Sequence, residues 1–169
     1  ISRLESIPMT ISTVQRAMPS YCRVVLYDKL PKTIAALFGN KKCVILFYQM
    51  HDRAGKIKNG TGHFSLLIRG KNIHFFSSYG LKPEQEIHKT HSKGRLLTLL
   101  GKNYTWNRRQ YQSVRRVQTC ALHCIVRAFF MNLNTVQYSK MMTRFVAKNA
   151  DDLVSIMSLC LVKRELNQR

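Results

Sequence analysis

Two apolar runs, HFSLLIR at 63–69 and NIHFFSS at 72–78, flank Gly70-Lys71. Runs of this length, rich in Ile and Phe and joined by a short glycine-bearing turn, specify a β-hairpin. Antiparallel pairing about that turn sets His63 opposite Ser77 or Ser78, the choice depending on the turn type. Directly opposed side chains have Cβ atoms about 5 Å apart. The ends of the two strands therefore bring a histidine and a serine together.

Other segments build around this unit. CVILFYQM at 43–50 is a continuous apolar and aromatic run of strand length, suited to a strand buried on both faces. CALHCIVRAFFMNL, from 120, places apolar residues on nearly every face at helical spacing, the mark of a buried central helix. Thr119 is placed to cap its start. Residues 9–18 suit a short helix closed by Pro19, and YCRVVLYDKLP an extended piece with a turn at Asp28 to Pro31. HDRAGKIKNGTG at 51–62 reads as a loop, 81–94 as loop or short helix, and 95–101 as an apolar piece ending in glycine. Two further helices are expected over 135–147 and 150–164. The second has Asn149 as cap and Asp151 and Asp152 in its first turn, charges that suit the helix dipole. The fold class expected is α+β: a small, mostly antiparallel sheet packed on a central buried helix, with more helices C-terminal. At 169 residues the chain is expected to form one domain over 1–169.

Charge narrows the partners. Twenty-eight Lys and Arg stand against eight acids, for a net +20. The basic residues are scattered, with pairs at Lys41-Lys42, Arg108-Arg109, Arg115-Arg116 and Lys163-Arg164. A folded body with a positive field, meeting polyanions such as DNA, is the natural reading. A merely soluble basic protein is the plain alternative. Tyr104, Trp106 and Tyr111 interleave with Arg108, Arg109, Arg115 and Arg116, a stretch suited to nucleic acid or to a substrate-groove wall. No apolar run approaches the ~20 residues of a membrane span, and ISRLESIPMT does not read as a secretory leader. Five cysteines, odd in number and sparse, do not form a disulfide framework and fit a reducing compartment.

Cys120 opens the buried helix. The unpaired N–H groups and positive dipole end at such a position favour thiolate, the nucleophilic form. A histidine such as His63, at a strand end, could serve as its base, which is the minimum for thiol acyl transfer. From spacing alone an inert core cysteine and an ordinary strand-end histidine are the favoured readings. Cys120, His123 and Cys124 form C-x-x-H-C, but no second Cys or His pair completes a zinc set, so no metal is expected.

Five strings in order carry a family resemblance: GHF at 62–64, HFFSSYG at 74–80, KPEQEI at 82–87, NRRQYQ at 107–112 and TCALHC at 119–124. Together they resemble the adenain-type viral cysteine proteases, above all those of virophages, Maverick/Polinton elements and large DNA viruses. The family pattern runs G-H-W, F-F-D-S-Y-G, P-P-x-E, N-x-x-Q-Y-Q and T-C-G-R-H-C. The resemblance covers roughly residues 20–160. It implies a fold similar to the SUMO-removing proteases, with a permuted papain-like site. It also implies maturation of viral capsid precursor proteins, with no cofactor needed for the chemistry and DNA as activator. Cys120 then matches the nucleophile, His63 the general base and Gln112 the oxyanion-hole glutamine. Gln118 is a second candidate, set too close to Cys120 to aim back at it.

Three departures stand out. Ser77 occupies the family's acid position, Ala121 replaces the glycine after the nucleophile, and Phe64 replaces Trp. An uncharged Ser77 leaves open a Cys–His dyad, a slower site or a decayed one. The expectation is a monomeric viral endopeptidase at the virion or at the site of assembly in the host cytoplasm or nucleus. Lys41, Lys42, Arg108, Arg109, Arg115 and Arg116 are its expected DNA contacts. The alternatives are a nucleic-acid-binding or packaging protein and a protease removing ubiquitin-like modifiers.

Overall fold

A computed structural model describes residues 9–52, 54–83, 85, 94–113, 119–144 and 149–166. Its elements run α1 (Ile11–Ala17), β1 (Cys22–Leu26), a 3-10 turn (Tyr27–Lys29), α2 (Ile34–Phe38), β2 (Cys43–His51), β3 (Ile57–Ile68), β4 (Ile73–Phe76), α3 (Leu96–Leu100), β5 (Tyr104–Trp106), α4 (Cys120–Phe129), α5 (Thr135–Arg144) and α6 (Ala150–Leu166). The class is α+β.

The five strands form one sheet in the order β1-β2-β3-β4-β5. The hairpin and its β2 neighbour are antiparallel, but β1–β2 and β4–β5 are parallel. The sheet is therefore mixed, not mostly antiparallel. The sequence missed this because β5 is only three residues, Tyr104–Trp106, inside a polar, basic stretch. Its pairing to β4 decides its conformation, not a run of apolar residues.

Alternation divides the core in two. Cys43, Ile45, Phe47, Phe64, Leu66 and Phe76 face α1, α4, α5 and α6. Val44, Leu46, Tyr48, Leu67 and Phe75 face α2 and α3. β2 is buried on both faces from Cys43 to Tyr48, as its unbroken apolar run requires. α4 is buried along its length from Cys120 to Ala128 and lies on the first face.

Local chemistry sets the helix starts. The Thr10 hydroxyl accepts from Thr13 N–H and the Thr33 hydroxyl from Ala36 N–H, both at 3.2 Å. Asn134 and Gln137 cap α5 reciprocally, each side-chain oxygen accepting the other's backbone N–H at 2.9 Å. Asn149 accepts from Asp152 N–H at 2.9 Å, as its cap role predicts. Thr119 does not cap α4; its hydroxyl is used elsewhere.

The stretch expected as a loop over 51–62 is largely strand. β3 begins at Ile57, and β2 pairs with it through an irregularity between Gln49 and His51. Glycine obscured the strand but also makes it possible. A Cβ at Gly62 would lie 2.2 Å from the Phe47 ring and 2.6 Å from the Tyr48 carbonyl oxygen. Only a residue without a side chain lets β3 pass here. Gly62→Ala is expected to lower stability by about 2 kcal/mol through overpacking. Urea unfolding checks this, and an unchanged midpoint would contradict the close approach.

Candidate active site

Asn107 joins the turn after β4 to the segment after β5. Its Oδ1 accepts from Ser77 N–H at 2.9 Å, and its Nδ2 donates to the carbonyls of Ser77 at 2.6 Å and Arg109 at 3.0 Å. Ser78 continues the seam. Its carbonyl accepts from the N–H groups of Tyr111 at 2.8 Å and Gln112 at 2.9 Å. Its hydroxyl donates to Gln112 Oε1 at 2.6 Å. Gly80 permits the approach: it has φ +71°, and a Cβ there would lie 2.9 Å from the Arg109 carbonyl carbon. The strings HFFSSYG and NRRQYQ, distant in sequence, are thus docked backbone to backbone.

Gln112 is buried, and the bond from Ser78 engages its oxygen. That orientation leaves the –NH₂ end of the amide as the donor, the end an oxyanion hole needs. The next residue continues the seam: Ser113 N–H donates to Asp151 Oδ2 at 2.9 Å. Asp151 Oδ1 accepts from the Thr119 hydroxyl and from His123 Nε2, the latter at 3.0 Å. Cys120 follows Thr119 as the first residue of α4 and is 7 % exposed.

The sequence placed Asp151 as a surface charge complementing the helix dipole. It is instead turned inward and 3 % exposed. His123, of the C-x-x-H-C string, is its partner. No periodicity marked either, because they meet across 28 positions. Burial drives the His123 pKa down, against the upward pull of Asp151, so the imidazole is neutral and donates from Nε2. Burial pushes the Asp151 carboxyl up, but the bonds from His123, Thr119 and Ser113 outweigh it and hold it below its ordinary value.

His63 sits on β3, paired with Tyr48. Its ring stacks on Tyr79 at 5.2 Å and lies 6.1 Å from the Tyr48 ring. The last paired rung of the hairpin is Leu66↔Phe76. Beyond that rung the chain leaves the sheet in a turn closed by Gly80 N–H donating to the Ser77 carbonyl at 2.9 Å, so neither Ser77 nor Ser78 is paired with His63. The Ser77 hydroxyl accepts from Tyr79 N–H at 3.2 Å. Alternation puts His63 on the side of Tyr48, whereas Cys120 belongs to the core on the side of Phe64.

The other cysteines differ in setting. Cys22 and Cys43 oppose each other on β1 and β2. The hydrogen bond to Cys43, then burial, pushes the Cys22 thiol far up, which keeps it protonated. Cys43 Sγ donates to Met131 Sδ at 3.3 Å. Among the described residues no group of three or more His, Cys, Asp or Glu could hold a metal ion.

Among the described residues the expected DNA contacts do not form one patch. Lys41 and Lys42 precede β2, at the end of the sheet where the hairpin turns, and Lys41 Nζ donates to the Ser20 carbonyl at 2.7 Å. Arg108 and Arg109 follow β5, at the opposite end with His63 and Gln112. There Lys82 and Arg108 lie 4.8 and 5.1 Å from the Trp106 ring centre, and Arg109 5.9 Å from that of Tyr111. Arg115, Arg116 and Gln118 lie outside the described residues. An open cleft of about 230 Å³ is lined by Arg109, Gln110, Tyr111, Met142, Thr143 and Asn149, with Ala150. No described helix is long and apolar enough to cross a membrane.

No family model matches the chain, and no curated protein matches it.

A half-buried histidine, His74, and a buried one, His123, set an acid limit. Burial lowers the His74 pKa to about 4, helped by Arg127, and His123 is lowered as well. Both are neutral when folded, whereas unfolded histidine takes up a proton below about pH 6.5. Their contribution is therefore complete above that pH and is lost as pH falls toward their folded values. Asp151, with its lowered pKa, adds a further loss below the ordinary carboxylate range. The melting temperature is expected to be flat from pH 7 to 8 and to fall steadily below about 6.5. A profile flat down to pH 5 would contradict neutral burial of both rings.

Proposed function

We propose that this chain is a viral cysteine endopeptidase of adenain type that matures capsid precursor proteins. The observation that carries the reading is the placement of Cys120 as first residue of a buried helix, with Gln112 held by Ser78 on the segment leading to it. In the proposed reaction Cys120 Sγ attacks the peptide carbonyl carbon while His63 takes the thiol proton. The developing oxyanion accepts from Gln112 Nε2–H and the Cys120 N–H. The C–N bond then breaks, His63 returns the proton to the leaving amine, and water hydrolyses the thioester. No cofactor enters this chemistry. DNA is proposed as an activating polyanion, met by the basic residues around Trp106.

Processing of a capsid precursor tests the reading. Cys120→Ala is expected to abolish cleavage, and His63→Ala to reduce it by at least about a hundredfold. Cleavage that survives Cys120→Ala would overturn the assignment. Affinity for duplex DNA is expected to fall steeply as salt rises, because phosphate contacts release counterions. A flat salt response would remove DNA from the account.

A second reading, a protease-derived nucleic-acid-binding protein, is favoured by Ser77. It carries no charge, and its hydroxyl is engaged by Tyr79 N–H. Under that reading neither the parent chain nor Cys120→Ala cleaves, and both bind DNA equally.

A further inference from the structure

Asp151 has no part in the reaction just described, yet its carboxylate touches both segments that carry the reacting groups. We propose that Asp151 is the positioning residue of the candidate active site. From α6 it fixes the segment that delivers Gln112 and the helix end that delivers Cys120. The inference rests on the reading of Cys120 as the nucleophile.

Three observations converge on this role. The donors to Asp151 flank the site: Ser113 directly follows Gln112, and Thr119 directly precedes Cys120. The third donor, His123, lies one turn into α4, on the same helix face as Thr119. One carboxylate thus holds the two ends of the 113–119 connection and the first turn of α4. Hydrogen bonds are directional, so this fixes the depth and angle of the helix end, which apolar contacts do not.

The cluster is also an inefficient way to fill a core. His123, neutral and donating from Nε2, leaves its buried Nδ1 without a hydrogen-bond partner among the described residues. An unpartnered buried acceptor is costly. An apolar cluster of equal volume would hold α6 against α4 at least as well. The polar cluster supplies geometry instead: a nucleophile and an oxyanion donor must be held within about 0.5 Å of their working positions.

The test uses the full chain and a tripeptide vinyl sulfone, with inactivation followed to saturation. Asp151→Asn keeps the shape but replaces one acceptor oxygen by a donor, so it cannot serve all three partners. Thr119→Val removes a single bond and keeps the volume. In both variants the maximal inactivation rate is expected to fall about tenfold, with the half-saturating concentration unchanged within about twofold. Thr119→Ser, which restores the hydroxyl, is expected to recover the rate. Maximal rates equal to the parent's in folded variants would overturn the positioning role while leaving Cys120 as nucleophile. A parent protein whose Cys120 is not modified at all would overturn the active-site reading and the positioning role with it. If Asp151→Asn does not fold, Thr119→Val and Thr119→Ser decide the matter between them.

Discussion

A polar seam set into an apolar core governs the arrangement around the candidate site. It begins at Ser77 and Ser78 after β4, passes through Asn107 and Gln112, and ends at Asp151 with Thr119 and His123. Buried polar groups must find partners or they destabilise the fold. Satisfying this set requires the β4 turn, the segment after β5, the start of α4 and the start of α6 to meet in one register. The apolar layers on either side of the sheet are more permissive, since they depend on area and volume. The seam thus sets where Gln112 and Cys120 stand, while the hydrophobic core supplies the driving force that lets them be held.

The elements legible in the sequence were those whose own residues dictate them. The β2 run is apolar throughout because both faces are covered, and α4 is apolar on all sides because it is buried along its length. The hairpin showed through its strand-like, Ile- and Phe-rich runs and its glycine-bearing turn. What was not legible depended on partners far away in sequence. β5 is a strand only because β4 pairs with it, and the first half of β3 only because Gly62 lets it pass Phe47. The residue facing His63 was open because turn type sets register; in the structure β4 ends at Phe76, before it reaches His63, and the Tyr79 ring from the following turn stacks on the imidazole. Asp151 carries the sequence pattern of a surface helix start. Its inward orientation depends on Thr119 and His123, which periodicity does not identify.

The same distinction bears on the site. Cys120, Gln112 and His63 were found through ordered motifs, and the structure puts the first two on one connected hydrogen-bonded framework. His63 is held by aromatic contacts with Tyr48 and Tyr79, on the opposite face of the sheet from Phe64. Ser77 follows β4 with its hydroxyl accepting from Tyr79 N–H, and as a serine it supplies no carboxylate. Of the expected DNA contacts among the described residues, Lys41 and Lys42 lie at one end of the sheet and Arg108 and Arg109 at the other. Only the end with Trp106, Lys82 and Arg108 adjoins the candidate site. A polyanion meeting that end would lie beside the proposed chemistry, and one meeting Lys41 and Lys42 would not.

Residue-resolved alkylation of the folded protein by iodoacetamide sets the reactivity of Cys120 against that of the other four thiols. None of the five cysteines forms a disulfide, and Cys160 is the exposed one. Exposure alone would make Cys160 react first and leave Cys120 as inert as Cys124. The account predicts the reverse order: Cys120 is modified fastest despite its burial, Cys160 more slowly, and Cys22, Cys43 and Cys124 hardly at all. Modification of Cys160 first, with Cys120 unreactive alongside Cys124, would contradict the claim that this chain carries an activated thiol.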